Sequence, residues 1–380
     1  MVEAAIGAIL LSALSAFMLV RYSQTHIRYS ADEVGGPQKF HHLPTPRVGG
    51  VAIFAGLILG FALLASHGHL KITEVACLTL SMLPVFAIGL TEDLTKRVTP
   101  RTRLLASFIA AAIAFWLLQV ELRRLDVPFL DPLLQMTPIA LVVSVICVAG
   151  LVHAVNIIDG YNGLAPGVAV IILLGLGYVG YQVHDQYVVA LCAVSAASIL
   201  GFLICNYPSG SIFAGDSGAY LIGFLIGLIS VLLVTRNHQV SAWCPMLFAI
   251  YPVWETLFSI YRKKFLRGHS PNMPDGLHLH MLVYKRLVRF GAGTVLPTHR
   301  IVRNSQTSPY FWLLTTLSAI PAIVFWNHTA LLMGFCVAFA FLYCRLYWSI
   351  VHFRSPKWLY RRIRLPVSDA VEAKVGLPVR

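Results

Sequence analysis

The sequence predicts an all-α polytopic membrane protein with about eleven spans of bilayer-crossing length. Three observations predict it. Apolar stretches of roughly 17 to 25 residues recur along most of the chain. The composition is 57% hydrophobic and only 12% charged, where a soluble protein carries about 25% charged residues. Lysine and arginine gather in alternate inter-span segments, the asymmetry that orients membrane helices.

The spans fall near 3–20, 48–66, 73–90, 104–120, 138–155, 164–181, 187–205, 218–235, 242–261, 310–326 and 330–350. The first lacks the basic start and cleavage site of a signal peptide and is expected to stay as a helix. With the N-terminus periplasmic, the segments 21–47, 91–103, 156–163, 206–217 and 262–309 lie in the cytoplasm. They would close a transmembrane catalytic unit over 1–350, with a basic cytoplasmic tail at 351–380. Of the 29 lysines and arginines, only Lys71, Arg123, Arg124 and Arg236 then fall outside, and Arg345 lies within a span. The net charge of +13 thus mostly faces the anionic inner leaflet. It needs no nucleic-acid partner, because no basic fold or aromatic binding motif accompanies it. The seven cysteines all sit in apolar segments without a CxxC pair and read as small buried residues.

Polar residues collect on the predicted cytoplasmic side, in "KFHHLPTPRVGG" (39–50), "TEDLTKRVTPR" (91–101), "HAVNIIDGYNGLAPG" (153–167), "NYPSGSIFAGDSGAY" (206–220) and "PDGLHLHMLVYKR" (274–286). Each has a plain alternative. "PTPRVGG" suits a turn entering a helix. Asp216 or Ser217 can cap the helix that follows it. Asp-Gly and Asn-Gly form turns. Glu92 and Asp93 can pair with Lys96 or Arg97, and a lone HxH pair is weak evidence of a metal. The conjunction is more informative than any part, because loops far apart in sequence bring acids and amides to one membrane boundary. Neighbouring carboxylates repel unless a cation neutralises them. Oxygen donors with few Cys or His suit Mg²⁺, which binds through one or two carboxylates together with substrate phosphates. A basic-ringed acidic site at a lipid boundary therefore points to phosphoryl transfer between a soluble donor and a lipid.

In this order, "PTPRVGG", "EDL", "NIIDGYNGLA", "GDSGAYLIG" and "HLH" resemble the polyprenyl-phosphate N-acetylhexosamine-1-phosphate transferases, which start bacterial lipid-linked glycans. The resemblance implies an enzyme of the bacterial inner membrane, with its active site on the cytoplasmic face. It would move HexNAc-1-phosphate, GlcNAc by default, from a UDP-N-acetylhexosamine to undecaprenyl phosphate and release UMP. Mg²⁺ would be the cofactor, with Mn²⁺ as the alternative ion and a homodimer among the assemblies allowed. The family's paired aspartates match Glu92 and Asp93, with Asp93 as proton acceptor. Its amide and acid loop matches Asn156, Asp159 and Asn162, and its metal-binding aspartate matches Asp216. Its histidine motif, commonly H-x-H-H, matches His278 and His280, followed here by Met281; these would meet the donor phosphates. Lys39, His41 and Arg47 match the basic first loop, and Phe213 is placed to stack on uracil. No triple-histidine run of the phospho-MurNAc-pentapeptide branch is present.

Two other classes compete. A transporter or flippase for a lipid-linked sugar would show mid-span charges or Gly/Pro breaks in paired positions, and these are sparse. A non-catalytic homologue is the second, given Glu92, Asn162 and Met281. A CDP-alcohol phosphatidyltransferase is disfavoured, because its multi-aspartate motif is absent.

Overall fold

The computed structural model describes residues 1–32, 45–266, 268, 276–290 and 297–363. Its long helices are α1 (Val2–Arg21), α2 (Gly49–Ser66), α3 (Ile72–Thr95), α4 (Pro100–Leu118), α5 (Thr137–Ile158), α6 (Leu164–Gln182), α7 (Gln186–Asn206) and α8 (Gly215–Arg236). A pair of shorter helices, α9 (Trp243–Phe248) and α10 (Ile250–Tyr261), precedes α11 (Ser308–Val324) and α12 (Thr329–Val351). Among the described residues, 10 helical segments are long and apolar enough to cross a membrane, the ninth counted from Ile301 to Val324. The remaining structure is slight. Ala31–Asp32 pairs antiparallel with Thr45–Pro46, and Val288–Phe290 pairs parallel with Arg361–Ile363.

The expected single span at 242–261 is instead the α9–α10 pair, joined at Ala249. Pro252 explains the break. It has no N–H to donate, so the carbonyl four residues earlier, that of Phe248, loses its helical partner. A second difference matters more for the site. α3 continues to Thr95, so Glu92 and Asp93 stand on its last turn and not in a loop. The expected spans otherwise lie within a few residues of the observed helices.

α8 is the axis of the bundle. Every residue from Gly215 to Val234 is buried, as expected for a helix that is apolar all round. It packs on α5, α3 and α2. Close approach there depends on glycine: a Cβ on Gly89 of α3 would lie 2.5 Å from Ser217 Cα, and one on Gly50 of α2 would overlap Ser217 and Gly218. The peripheral α1 leaves Ile6, Leu10, Leu14 and Phe17 exposed, a face suited to lipid. Because the helices alternate in direction, the ends at Arg21, Gly49, Thr95, Pro100, Ile158, Leu164, Asn206, Gly215, Tyr261 and Ser308 share one side of the bundle. The described residues of the polar motifs fall on that side.

The glycine contacts give a paired test. Gly50→Ala should leave little monodisperse protein after detergent extraction. Gly150→Ala, whose Cβ would meet nothing within 4 Å, should be tolerated and gain about 0.5–1 kcal/mol from helix propensity. Size-exclusion profiles and melting curves of the two variants check both.

Candidate active site at one end of the bundle

The site begins with a cap made between helices. The first amides of α8 lack helical partners, and its N-cap residue, Ala214, has no side-chain acceptor to offer. Asp93, fully buried on the last turn of α3, supplies one from outside. Asp216 N–H donates to Asp93 Oδ1 at 2.7 Å, and Ser217 donates to Oδ2 through its N–H at 2.9 Å and its hydroxyl at 2.6 Å. The turn into α8 needs Gly215 at φ +70°, where a Cβ would also come within 2.5 Å of Asp93 Oδ2. "PTPRVGG" completes the junction: Gly49 N–H donates to the Phe213 carbonyl and Gly50 N–H to that of Ala214, each at 2.9 Å.

Relieved of capping, Asp216 turns its carboxylate to cations. Oδ1 accepts from Arg47 at 3.2 Å, while Oδ2 accepts from Arg103 at 2.8 Å and from the Tyr220 hydroxyl at 3.1 Å. Arg47 also stands 3.8 Å from Asp93. Arg103 reaches Glu92 Oε1 at 3.0 Å, and Glu92 Oε2 accepts from Val98 N–H at 2.8 Å. Glu92 thus joins the end of α3 to the loop before α4, with Arg103 as a cation at its carboxylate. Its extra methylene over aspartate serves that reach.

Asp159 follows the last residue of α5 and is half-buried. Enclosure in the crevice pushes its carboxyl up to about 7; Arg47 opposes this, and Asp216 and Asp93 add to it. No hydrogen-bond donor to that carboxyl is found among the described residues. Asn156 lies one turn earlier, and its carbonyl accepts from Asp159 N–H. Asn162 has a structural task. Its backbone N–H meets Asn304 Oδ1 at 2.8 Å, its side-chain NH₂ donates to the Pro208 carbonyl at 3.0 Å, and its carbonyl accepts from the Ser308 hydroxyl. An aspartate there would set a carboxylate against a carbonyl, so the amide is what this packing requires. Phe213, half-buried, is two residues before the turn at Gly215.

The histidines lie deeper than expected. His278 Nδ1 is 2.9 Å from Glu255 Oε1, and the same carboxylate accepts from Leu279 N–H and, at 2.7 Å, from the Tyr343 hydroxyl. The His280 ring stacks on His278 at 5.3 Å and meets Tyr161 edge-on at 5.6 Å. His280 is fully buried, and neither ring nitrogen has a partner among the described residues. Burial holds it neutral, down to about 3. The phosphate contact expected of His280 is therefore not available in this arrangement, because the ring has no open surface. Lys39 and His41 lie outside the described residues.

Three site residues were not singled out from the sequence. Arg103 reads in the sequence only as loop charge. Tyr220 stands four residues after Asp216, on the same helix face. Glu255 is a lone acid in the apolar run 242–261, a signal that usually marks function.

The donor set can be tested against a metal. Among the described residues, no three His, Cys, Asp or Glu side chains converge to hold an ion, so a tetrahedral zinc cage does not fit. Mg²⁺ asks less, one or two carboxylates with the remaining positions left to water and phosphate. Asp216, and Asp159 with its unoccupied carboxyl oxygens, fit that requirement.

Residues 75–234 match the family model of glycosyl transferase family 4, a range that holds Glu92, Asp93, Asp159 and Asp216. The chain is 29% identical over 268 residues to a probable undecaprenyl-phosphate N-acetylglucosaminyl 1-phosphate transferase of Bacillus subtilis, across 70% of this chain and 72% of that one. It is 28% identical over 349 residues to the decaprenyl-phosphate N-acetylglucosaminephosphotransferase of Mycolicibacterium smegmatis, across 83% and 81%. A phospho-N-acetylmuramoyl-pentapeptide-transferase of Levilactobacillus brevis is 30% identical over 220 residues, across 54% of this chain and 66% of that one. The fold and these relatives define a class, the polytopic membrane phosphosugar transferases. Within it, the chain carries a glycosyl transferase family 4 region and is similar to polyprenyl-phosphate N-acetylglucosamine-1-phosphate transferases and to a phospho-N-acetylmuramoyl-pentapeptide-transferase.

The placement of Asp159 has a consequence for stability. Its carboxyl is raised from 3.8 to about 7 in the fold, so the folded state favours the protonated form. The stability this group contributes is fully present below pH 4 and is lost as pH rises through about 7. Asp159→Asn should therefore raise the melting temperature by a few degrees at pH 8 in EDTA and change it little at pH 4. Melting curves of the two proteins across that range check the sign.

Proposed function

We propose that this chain transfers N-acetylhexosamine-1-phosphate, GlcNAc-1-phosphate by default, from a UDP-sugar to undecaprenyl phosphate. The reaction releases UMP and initiates a cell-surface polysaccharide at the cytoplasmic face of the bacterial inner membrane. One observation carries this reading. The ends of α3, α5 and α8, with Arg47 and Arg103, gather acids and cations at one end of the helical bundle. The relatives' names support the chemistry, and the crowding of basic residues into loops on the site side supports the orientation.

An apolar cavity of about 490 Å³ opens between α5, α8, α9 and α10, lined in part by Gly150, Leu151, Ala154, Val231, Met246 and Val253. Ala154 is little more than a turn from Asp159, so an isoprenoid tail lying there would bring its phosphate to the carboxylates. The break between α9 and α10 gives the cavity its floor.

One diphosphate replaces another in this reaction, so the protein's work is juxtaposition and charge neutralisation. Mg²⁺ on Asp216 and Asp159 would screen the donor diphosphate and stabilise the leaving UMP. Arg47 and Arg103 flank the same point and hold phosphate oxygens. The lipid phosphate attacks the donor's β-phosphorus directly. Its second ionisation lies near 6, as in other phosphoesters, so it needs little activation. An aspartate nucleophile would have to approach a polyanion, at a Coulomb cost. Asp93, expected as proton acceptor, has both oxygens engaged in the cap. His278, its Nδ1 directed to Glu255, presents Nε2 to the donor, and Phe213 stacks on uracil.

The test is transfer by purified protein to undecaprenyl phosphate from a panel of UDP-N-acetylhexosamines with Mg²⁺. The wild type should form a lipid-linked sugar diphosphate and UMP in equal amounts. Asp216→Asn should lower the rate at least 100-fold, a loss of about 2.7 kcal/mol in transition-state stabilisation, with its melting curve little changed. Absence of transfer from every donor, or near-normal activity of Asp216→Asn at saturating Mg²⁺, would reject the reading.

A further inference from the structure

A second cavity, of about 790 Å³, lies between α11 and α12. It shares no lining residue with the carboxylate cluster or with the apolar cavity beside α5. Leu313 and Leu317 of α11 form one wall, and Leu342 and Leu346 of α12 the other. Two arginines line it as well. Arg345 is exposed on α12, at helical spacing from Leu342 and Ser349, and Arg354 follows the helix end. Neither side chain has a hydrogen bond or ion pair among the described residues. Trp348 and Trp358, both exposed, stand at the rim, where aromatic side chains mark the membrane–water boundary.

The depth of this groove is informative. Leu342 lies nine residues before the end of α12 at Val351, about 13 Å along the axis. That is close to one leaflet's share, about 15 Å, of the hydrocarbon thickness. Arg345 lies six residues before the same end, about 9 Å below it. A charge at that depth is costly without a partner. Side chains lean toward the N-terminal end of their helix, which for Arg345 is away from the near surface, so snorkelling is hindered. An anionic group descending to meet Arg345 would remove the cost. Anionic lipid is also drawn to the side on which basic loops collect.

We propose that this groove binds one anionic phospholipid, its phosphate between Arg345 and Arg354 and an acyl chain between the leucine walls. The bound lipid is not a substrate. The polyprenyl acceptor also combines a phosphate with a hydrocarbon tail, but none of Asp93, Asp159 and Asp216 lines this groove.

The experiment uses the full-length protein in detergent micelles, titrated with dioleoyl-phosphatidylglycerol or dioleoyl-phosphatidylcholine and read by native mass spectrometry. The wild type should retain one phosphatidylglycerol, about tenfold more tightly than the Arg345→Gln/Arg354→Gln variant, with equal, weak retention of phosphatidylcholine by both. Leu317→Trp fills the groove without touching its charge and should displace the same lipid. Transfer activity of these variants in phosphatidylcholine should match the wild type. Equal retention of phosphatidylglycerol by the wild type and either variant would overturn the proposal. So would one-for-one displacement of phosphatidylglycerol by undecaprenyl phosphate, which would make the groove an acceptor site.

Discussion

Asp93 reaches from the last turn of α3 to the bare amides of α8, and the geometry of the site follows from that contact. The carboxylate is fully buried and accepts three hydrogen bonds. Bonds to a charged group contribute about 1.5–3 kcal/mol each, and a helix N-terminus adds up to about 2 kcal/mol. Removing a carboxylate from water costs several kcal/mol in return. These terms largely offset one another, so the contact contributes less to net stability than to register: it fixes where α8 begins. Once Asp93 is the cap, Asp216 need not be, and its carboxylate is free to face Arg47, Arg103 and Tyr220. Gly50, Gly89 and Gly215 are required by the same junction, since a side chain at any of them would push α2, α3 and α8 apart.

This arrangement places opposite charges where water meets hydrocarbon. Asp216 and Glu92 are held by arginines, whereas Asp159 has no donor among the described residues and is pushed up to about 7 by its enclosure. An acidic site that is only partly compensated suits a reaction in which phosphates and a divalent ion arrive together. The histidine segment is organised separately by Glu255, which places His278 against α10 and α12 while His280 fills the space beneath Gly160.

The membrane class and most of the helices were legible in the sequence, because hydrocarbon thickness imposes a length and an apolar composition that need no knowledge of neighbours. The break at Ala249 was less so: the run 242–261 carries one charge, Glu255, and only Pro245 and Pro252 hint at the break. The grouping of the motifs on one side was legible through the alternation of basic loops. Individual roles were not. Adjacent acids at a helix end look alike in sequence, and nothing local shows that Asp93 turns inward to α8 while Glu92 turns to Arg103. The roles of Arg103, Tyr220 and Glu255 have no local signature, because each acts on a residue distant in sequence or a helical turn away. The amide of Asn162 becomes intelligible only with the Pro208 carbonyl beside it.

The central claim is that Asp93 serves the site by capping α8. The direct measurement is the melting temperature of Asp93→Asn beside that of Asp216→Asn, read together with transfer. The amide keeps one acceptor, but its NH₂ would face the amides of α8. Asp93→Asn should therefore melt several degrees below the wild type and lose transfer in parallel, while Asp216→Asn loses transfer and melts near the wild type. A fully stable Asp93→Asn protein devoid of transfer would contradict the account and return Asp93 to a purely chemical role.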